Sequence, residues 1–279
     1  MQNEPHCQMK FSIVTPCYNA APYLAETLDS VLNQTAVRSG RVQLEYWVMD
    51  GGSTDHTLEL LKSYDYPNVH IHSAKDQGMY DALAQGFSQT TGDVIAYLNA
   101  GDFYYPQAFA VVADIIQTGQ VDWLTGYRVI YNQHSQVIHM DLPYPYRREL
   151  FAYGLYNQAW CRVQQESTFW TQKVHQKLDL QRLKSWQYAG DYFLWLQFAN
   201  QTELQVVSSY LGGFKRHPGQ LSERRDRYNQ EVAQMTQPAP LGAKLQHTWD
   251  WCQWRWQKKY PRVWRFDPKI DQWRWYESI

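Results

Sequence analysis

The sequence predicts an α/β fold built on a mostly parallel sheet flanked by helices. Three observations carry this. Short apolar runs alternate with segments of helical periodicity over roughly the first 120 residues. One of the runs is apolar almost throughout, as suits a strand buried on both faces. Several of the runs end in turns rich in Asp, Asn and Gly.

Residues 11–16 read as a strand stopped by Pro16, and Asn19 is placed to cap the helix that follows, whose Leu24, Leu28, Val31 and Leu32 share one face. Residues 44–49 form the doubly buried strand, ending in Asp50-Gly51-Gly52-Ser53-Thr54-Asp55, a turn with helix-capping residues. A short helix over 57–64, a third strand over 69–72 and a third helix over 78–87 continue the rhythm. A fourth strand over 94–98 leads into Asn99-Ala100-Gly101-Asp102. This β-α-β-α order implies crossover connections between parallel strands. Beyond about residue 120 the rhythm breaks. Residues 121–131 and 136–140 read as strands joined at Asn132-Gln133, residues 144–161 resist assignment, 191–200 read as a helix, and 204–210 as a last strand followed by a glycine-containing loop. Two prolines within 236–240 mark a boundary before a C-terminal appendage.

Composition narrows the function. The chain has 279 residues, 44% hydrophobic, 19% charged, with a net charge of −1. That is too rich in core formers for disorder and too neutral for a dedicated nucleic-acid binder, so no nucleic-acid partner is expected. No run approaches the roughly 18–20 apolar residues of a membrane span, and residues 1–10 lack the apolar stretch of a signal peptide, so a cytoplasmic location is expected. Cys7, Cys17, Cys161 and Cys252 show no CxxC spacing and read as free thiols. Neither a GxGxxG nor a GxxxxGK[ST] phosphate loop is present, nor a GxSxG nucleophile elbow.

The chemistry-bearing residues fall at strand ends, where open parallel sheets bind ligands. Asp50, Asp76 and Asp102 would converge there, and such a group of carboxylates is costly unless something positive joins it. A divalent cation with a phosphorylated ligand meets that need. Taken singly, Asp50, Asp55 and Asp102 also read as turn or cap residues.

Several segments carry a family resemblance. Ser12-Ile13-Val14-Thr15-Pro16-Cys17-Tyr18-Asn19, the Asp50–Asp55 turn, and Asp76-Gln77-Gly78-Met79-Tyr80-Asp81-Ala82 resemble glycosyltransferase family 2, the inverting enzymes of GT-A fold. Leu98-Asn99-Ala100-Gly101-Asp102 is similar to that family's metal-binding segment. Gln165-Glu166-Ser167-Thr168-Phe169 and Gly190-Asp191-Tyr192-Phe193-Leu194-Trp195-Leu196 are similar to its acceptor-side segments. The likeness covers roughly residues 10–225 and is closest to the branch that builds bacterial surface polysaccharides. It implies a GT-A domain over 1–236, with a nucleotide-sugar half near 10–120 and an acceptor half near 121–236, followed by an appendage over 237–279.

Carried over by position, the resemblance implies that Thr15, Pro16 and Tyr18 line a nucleobase pocket. Asp50 would accept from the base, Asp76 and Asp81 would lie near ribose and donor sugar, and Asp102 would coordinate Mg²⁺ or Mn²⁺. Asp191 would be the general base that deprotonates the acceptor, a glycan or lipid-linked glycan hydroxyl. At the start of a helix, Asp191 is expected to be favoured in its charged form by the macrodipole. The metal segment departs from the family pattern, because Asn99 replaces the first carboxylate of the usual pair. His217, in Lys215-Arg216-His217-Pro218-Gly219-Gln220, is the expected additional ligand to metal or phosphate. Two rivals remain: a non-catalytic sugar-nucleotide or glycan-binding relative, and a sugar-1-phosphate nucleotidyltransferase, whose expected Gly-rich basic loop is missing from residues 15–21.

The appendage has its own signature. Seven of the 13 tryptophans lie between Trp249 and Trp275, and residues 244–279 hold eight Lys and Arg against four Asp and Glu. Leu241, Leu245, Trp249, Cys252, Trp256 and Tyr260 form one helical stripe, with Trp251 and Trp254 on the other side and Pro261 ending the helix. Three roles are open: a helix packed by its stripe on the domain, a peripheral membrane contact at the inner face of the plasma membrane, or a groove for sugar rings. The off-stripe tryptophans are the feature that favours the membrane.

Overall fold

A computed structural model describes residues 8–158, 160–257 and 262–276. Cys7, Lys258, Tyr260 and Pro261 therefore lie outside the described residues. The strands in chain order are β1 (Lys10–Cys17), β2 (Gln43–Asp50), β3 (Val69–Ser73), β4 (Val94–Tyr97), β5 (Phe103–Tyr104), β6 (Trp123–Thr125), β7 (Arg128–Tyr131), β8 (Val137–Asp141), β9 (Thr168–Thr171), β10 (Gln205–Val207), β11 (Gly212–Lys215), β12 (Val263–Asp267) and β13 (Gln272–Tyr276). Nine of them form one sheet in the order β13-β12-β10-β6-β9-β4-β1-β2-β3, and β5-β11-β7-β8 form a second.

Parallel pairing joins β4 to β1, β1 to β2 and β2 to β3, with Cys17 opposite Asp50. β9 runs antiparallel between β4 and β6. The sequence explains the centre of the sheet. β1 is buried on both faces and reads Phe-Ser-Ile-Val-Thr, and its two polar side chains are satisfied internally. The Ser12 hydroxyl donates to the Glu45 carboxylate and accepts from the Gly92 N–H, while Thr15 pairs with the Tyr46 hydroxyl at 2.9 Å. Helix Met79–Phe87 packs on β1 and β2 through a face that includes Leu83, Gly86 and Phe87.

Several elements depart from the sequence reading. Asn19 does not cap helix Ala21–Leu32. It adopts a left-handed backbone (φ 48°), and its amide oxygen accepts from the N–H groups of Thr54 and Asp55 at 2.9 and 3.3 Å. The stretch 121–131 is two strands in different sheets, parted where Gly126 and Tyr127 donate to the carbonyls of Ser167 and Ser209. Helices Ala108–Ile116 and Arg225–Met235 and strand β11 were not expected.

The appendage is helical over Leu241–Gln257, and the rest of its described part is the β12–β13 hairpin, which extends the main sheet by parallel pairing of β12 with β10. Val263 and Trp264 are buried at that junction, and the Trp264 indole donates to Gln205. The stripe expectation is reversed by the packing. His247 is buried against Tyr156 and Trp160, Trp251 lies 5.6 Å from Trp160, and Trp254 lies 6.3 Å from Tyr144. Asp250 on the same side pairs with Arg147. The off-stripe tryptophans thus hold the helix to the domain, and Leu241, Leu245, Trp249 and Trp256 face outward at 73, 61, 58 and 76% exposure.

Candidate functional site

A cleft of about 1560 Å³ opens beyond the carboxyl ends of β1, β2 and β4. Its walls include Pro16, Tyr18, Asp76, Asp102, Asp191 and His217, so six of the nine expected site residues meet on one surface. Thr15, Asp50 and Asp81 do not line it.

The reasons are local. Thr15 is wholly buried with its hydroxyl on Tyr46. Asp50 is also buried. Its carboxylate accepts from the N–H groups of Gly52 and Ser53 and from the hydroxyls of Ser53 and Ser73. It organises the turn after β2 and ties it to β3, so no lone pair is left pointing at a base. Asp81 accepts from the Gln77 N–H at 3.1 Å and faces Lys184 at 4.0 Å. Cys17 sits in the wall, but burial, with the charges of Asp50, Asp55 and Asp76 behind it, pushes its thiol far up, which removes it as a nucleophile. Tyr18 is 62% exposed and free to present its ring. Asp76 accepts from the Gly78 N–H at 2.9 Å, and burial followed by the nearby Asp81 and Asp50 raises its carboxyl.

Asp102 is buried, and one oxygen accepts the Lys215 N–H at 2.9 Å. Burial drives its carboxyl up, and burial together with Asp102 does the same to Glu166, a cleft-wall residue from the Gln165–Phe169 segment. The Glu166 Oε1 and Asn99 Oδ1 atoms are buried with no hydrogen-bond partner among the described residues. His217 lies over this spot. A Cβ placed on Gly101 would stand 3.2 Å from its Nε2, and its ring stacks on Tyr23 at 4.1 Å between centroids. The loop that carries it is closed by Gln220, which accepts the His217 N–H and donates to the Lys215 carbonyl. Buried carboxylate and amide oxygens without cations, beside an imidazole, are donors suited to Mg²⁺ or Mn²⁺. Among the described residues there is no group of three or more His, Cys, Asp or Glu that would hold a metal ion by itself.

Asp191 is the second residue of helix Gly190–Ala199. One oxygen accepts the Tyr192 N–H at 2.7 Å and the other the Tyr228 hydroxyl at 3.4 Å. Burial pushes its carboxyl up to about 6, against the lowering effects of Arg162 and these hydrogen bonds, so burial outweighs the helix terminus expected to hold it charged. The helix start is fixed by Glu231, whose carboxylate accepts the N–H groups of Gln187, Tyr188 and Ala189 at 3.0, 2.9 and 2.7 Å. Gly190 is required here, because a Cβ would meet the Tyr80 ring at 2.4 Å. Gly190→Ala is expected to destabilise the protein by about 1–3 kcal/mol through overpacking, seen as a lowered midpoint in thermal denaturation.

The comparisons with known proteins decide the family. The pattern described as glycosyl transferase family 2 matches residues 12–174. The chain belongs to that family. A PGL/p-HBAD biosynthesis glycosyltransferase of Mycobacterium bovis (strain BCG / Pasteur 1173P2) is 38% identical over 99 residues, 34% of this chain and 36% of the relative. The chondroitin synthase of Escherichia coli is 33% identical over 105 residues, 37% of this chain and 15% of that enzyme. The chain thus spans about a third of the first relative's length and less of the second's. Among solved structures, S. aureus TarS 1-349 superposes with a TM-score of 0.60 at 15% identity, covering 90% of this chain and 73% of that one. The same protein in complex with UDP-GlcNAc gives 0.58 at 17% identity, covering 77% and 61%. The family 2 chain therefore has the GT-A fold, as its strand-end motifs suggested. Arg162, Glu166 and Tyr228 also line the cleft, and Glu231 holds the helix start beside it. Glu166 lay inside a segment similar to the family's acceptor side but was given no role of its own, and nothing in the sequence marks Arg162, Tyr228 or Glu231 apart from ordinary surface and loop residues.

Proposed function

We propose that this family 2 protein is an inverting glycosyltransferase that moves a sugar from a nucleotide-diphosphate donor to a hydroxyl of a glycan or lipid-linked glycan in polysaccharide biosynthesis. The observation that carries the reading is the placement of Asp191, with its raised carboxyl, on the same cleft as Pro16, Tyr18, Asp76, Asp102 and His217. The exposed Tyr18 ring and Pro16 receive the base, and Asp76 faces the ribose and donor sugar. Thr15 ties β1 to β2 behind them, and Asp50 and Asp81 hold the strand-end loops. Asp102, Asn99 and His217 would hold Mg²⁺ or Mn²⁺, which when bound would stabilise charge on the departing diphosphate. Asp191 takes the proton of the acceptor hydroxyl as that oxygen bonds to the anomeric carbon from the face opposite the leaving group. The bond from that carbon to the diphosphate oxygen breaks with inversion, and the nucleoside diphosphate leaves with the electron pair.

Thermal-shift screening of nucleotide sugars with Mn²⁺ tests the donor class. At least one donor is expected to raise the melting midpoint by mass action, and no shift from any of them would sink the reading. Metal-stimulated hydrolysis of that donor separates an enzyme from a non-catalytic binding relative, which would show none. Asp102→Asn is expected to raise the Mn²⁺ concentration for half-maximal turnover at least tenfold, measured by metal titration. Because Asp191 acts deprotonated and its carboxyl sits at about 6, kcat/KM for transfer should be flat above that pH and fall about tenfold per unit below it.

The appendage supports a working location at a membrane surface. Among the described residues no helix is long and apolar enough to cross a membrane. The outward Leu241-Leu245-Trp249-Trp256 stripe is flanked by exposed Lys244 and Arg255, in a segment with an excess of basic residues. Apolar side chains, Trp and flanking cations together suit the interface of an anionic bilayer, where a lipid-linked acceptor would lie.

A further inference from the structure

Beside the cleft lies a second, smaller pocket of about 370 Å³, lined by Asn157, Gln158, Arg162, Arg225 and Asn229. Arg162 and Arg225 line both spaces, so the pocket opens off the cleft on the acceptor side, next to the proposed base. Among the described residues no carboxylate lines it. The Arg162 guanidinium stacks 4.7 Å over the Tyr228 ring and donates through Nη2 to the Asn157 carbonyl at 3.0 Å. Its Nε is buried with no hydrogen-bond partner among the described residues. Tyr228 in turn donates to Asp191, so one side-chain chain links base, aromatic ring and guanidinium. Arg225 is the exposed first residue of helix Arg225–Met235, and no side chain caps that helix start.

A buried guanidinium N–H without an acceptor is costly, and a planar fork beside a second arginine matches an oxyanion better than it matches neutral hydroxyls. At about 30 Å³ of liquid per water, the pocket has room for a sugar-sized group carrying one anion. We propose that it is an acceptor subsite for an anionic glycan, holding a phosphate or carboxylate group between Arg162 and Arg225 while a neighbouring hydroxyl faces Asp191. This rests on the assignment of Asp191 as base and adds the charge class of the acceptor to it. Asn157, Gln158 and Asn229 supply amide donors and acceptors for the surrounding hydroxyls.

The test uses the full chain with UDP and Mn²⁺ at saturation, so that the diphosphate position is filled. Glycerol phosphate, glucuronate and glycerol are then titrated by calorimetry. The expected result is that glycerol phosphate or glucuronate binds at least tenfold more tightly than glycerol, phosphate preference marking a phosphorylated acceptor and carboxylate preference a uronic one. Arg225→Gln, at an exposed position, and Arg162→Lys should each cut the preferred anion's affinity at least tenfold. Equal binding of glycerol and both anions, or unchanged affinity in Arg225→Gln, overturns the subsite. Asp191→Asn should keep the anion preference. Transfer at the wild-type rate in that variant would overturn the base and leave the anion result standing, so the two failures are distinguishable.

Discussion

Asp191→Asn is expected to lower the transfer rate by about 10²- to 10⁴-fold, the range for losing a positioned general base, while donor affinity stays within a few-fold. The amide keeps the shape of the side chain and its place beside Tyr192 and Tyr228 but has no basic lone pair to take the acceptor proton. The same substitution should raise stability. The folded carboxyl sits at about 6, above its ordinary value of 3.8, so the fold favours the protonated form. Its contribution is fully present below pH 3.8 and is lost as pH rises through about 6. At neutral pH the charged group therefore costs stability, by at most about 3 kcal/mol, and Asn removes that cost. Rate assays with a retained donor shift, alongside thermal melts at pH 5 and pH 7.5, check both halves. A gain in melting midpoint at pH 7.5 that shrinks at pH 5 is the expected pattern, and wild-type turnover would refute the role.

The second large effect concerns the membrane face. Leu245→Glu combined with Trp249→Glu is expected to reduce co-sedimentation with vesicles containing anionic phospholipid by tenfold or more. Burying such side chains contributes about 1.5–3 kcal/mol each, and the introduced charges repel the lipid as well. Both residues point away from the domain, at 61 and 58% exposure, so the melting midpoint should hardly move. Trp251→Glu is the contrasting variant. That ring packs on Trp160, so its replacement should lower the midpoint. Equal vesicle binding by wild type and the double variant would refute the contact.

These two variants also show how far the sequence can be read. The periodicity of Leu241, Leu245, Trp249 and Trp256 correctly defined one face of a helix. It could not say which face was inside, because Trp251 and Trp254 make the opposite face apolar too. The choice was made by Tyr144, Tyr156 and Trp160 on the domain and by the Arg147–Asp250 pair. Asp50 shows a similar limit. A carboxylate at a strand end was legible as a candidate ligand group, but its four donors come from the turn after β2 and from β3, and only folding brings Ser73 to it.

The first half of the fold was legible because β1, β2 and β4 are buried strands with local connections, and local periodicity suffices to find them. After residue 120 the strands are three to five residues long and pair with distant partners, as β9 does between β4 and β6 and β12 does with β10. Those distant pairings leave no local trace, although the runs at 136–140 and 204–210 were legible and match β8 and β10. The sequence alone determined the family, the strand-end motifs and the position of Asp191 at a helix start. Tertiary structure decided that Asp191 has a raised carboxyl, that Glu166 stands beside Asp102, that Arg162 opens a second pocket, and which side of the tryptophan helix faces out. Those properties depend on burial and on the charges gathered around a group, and both are set by residues remote in the chain.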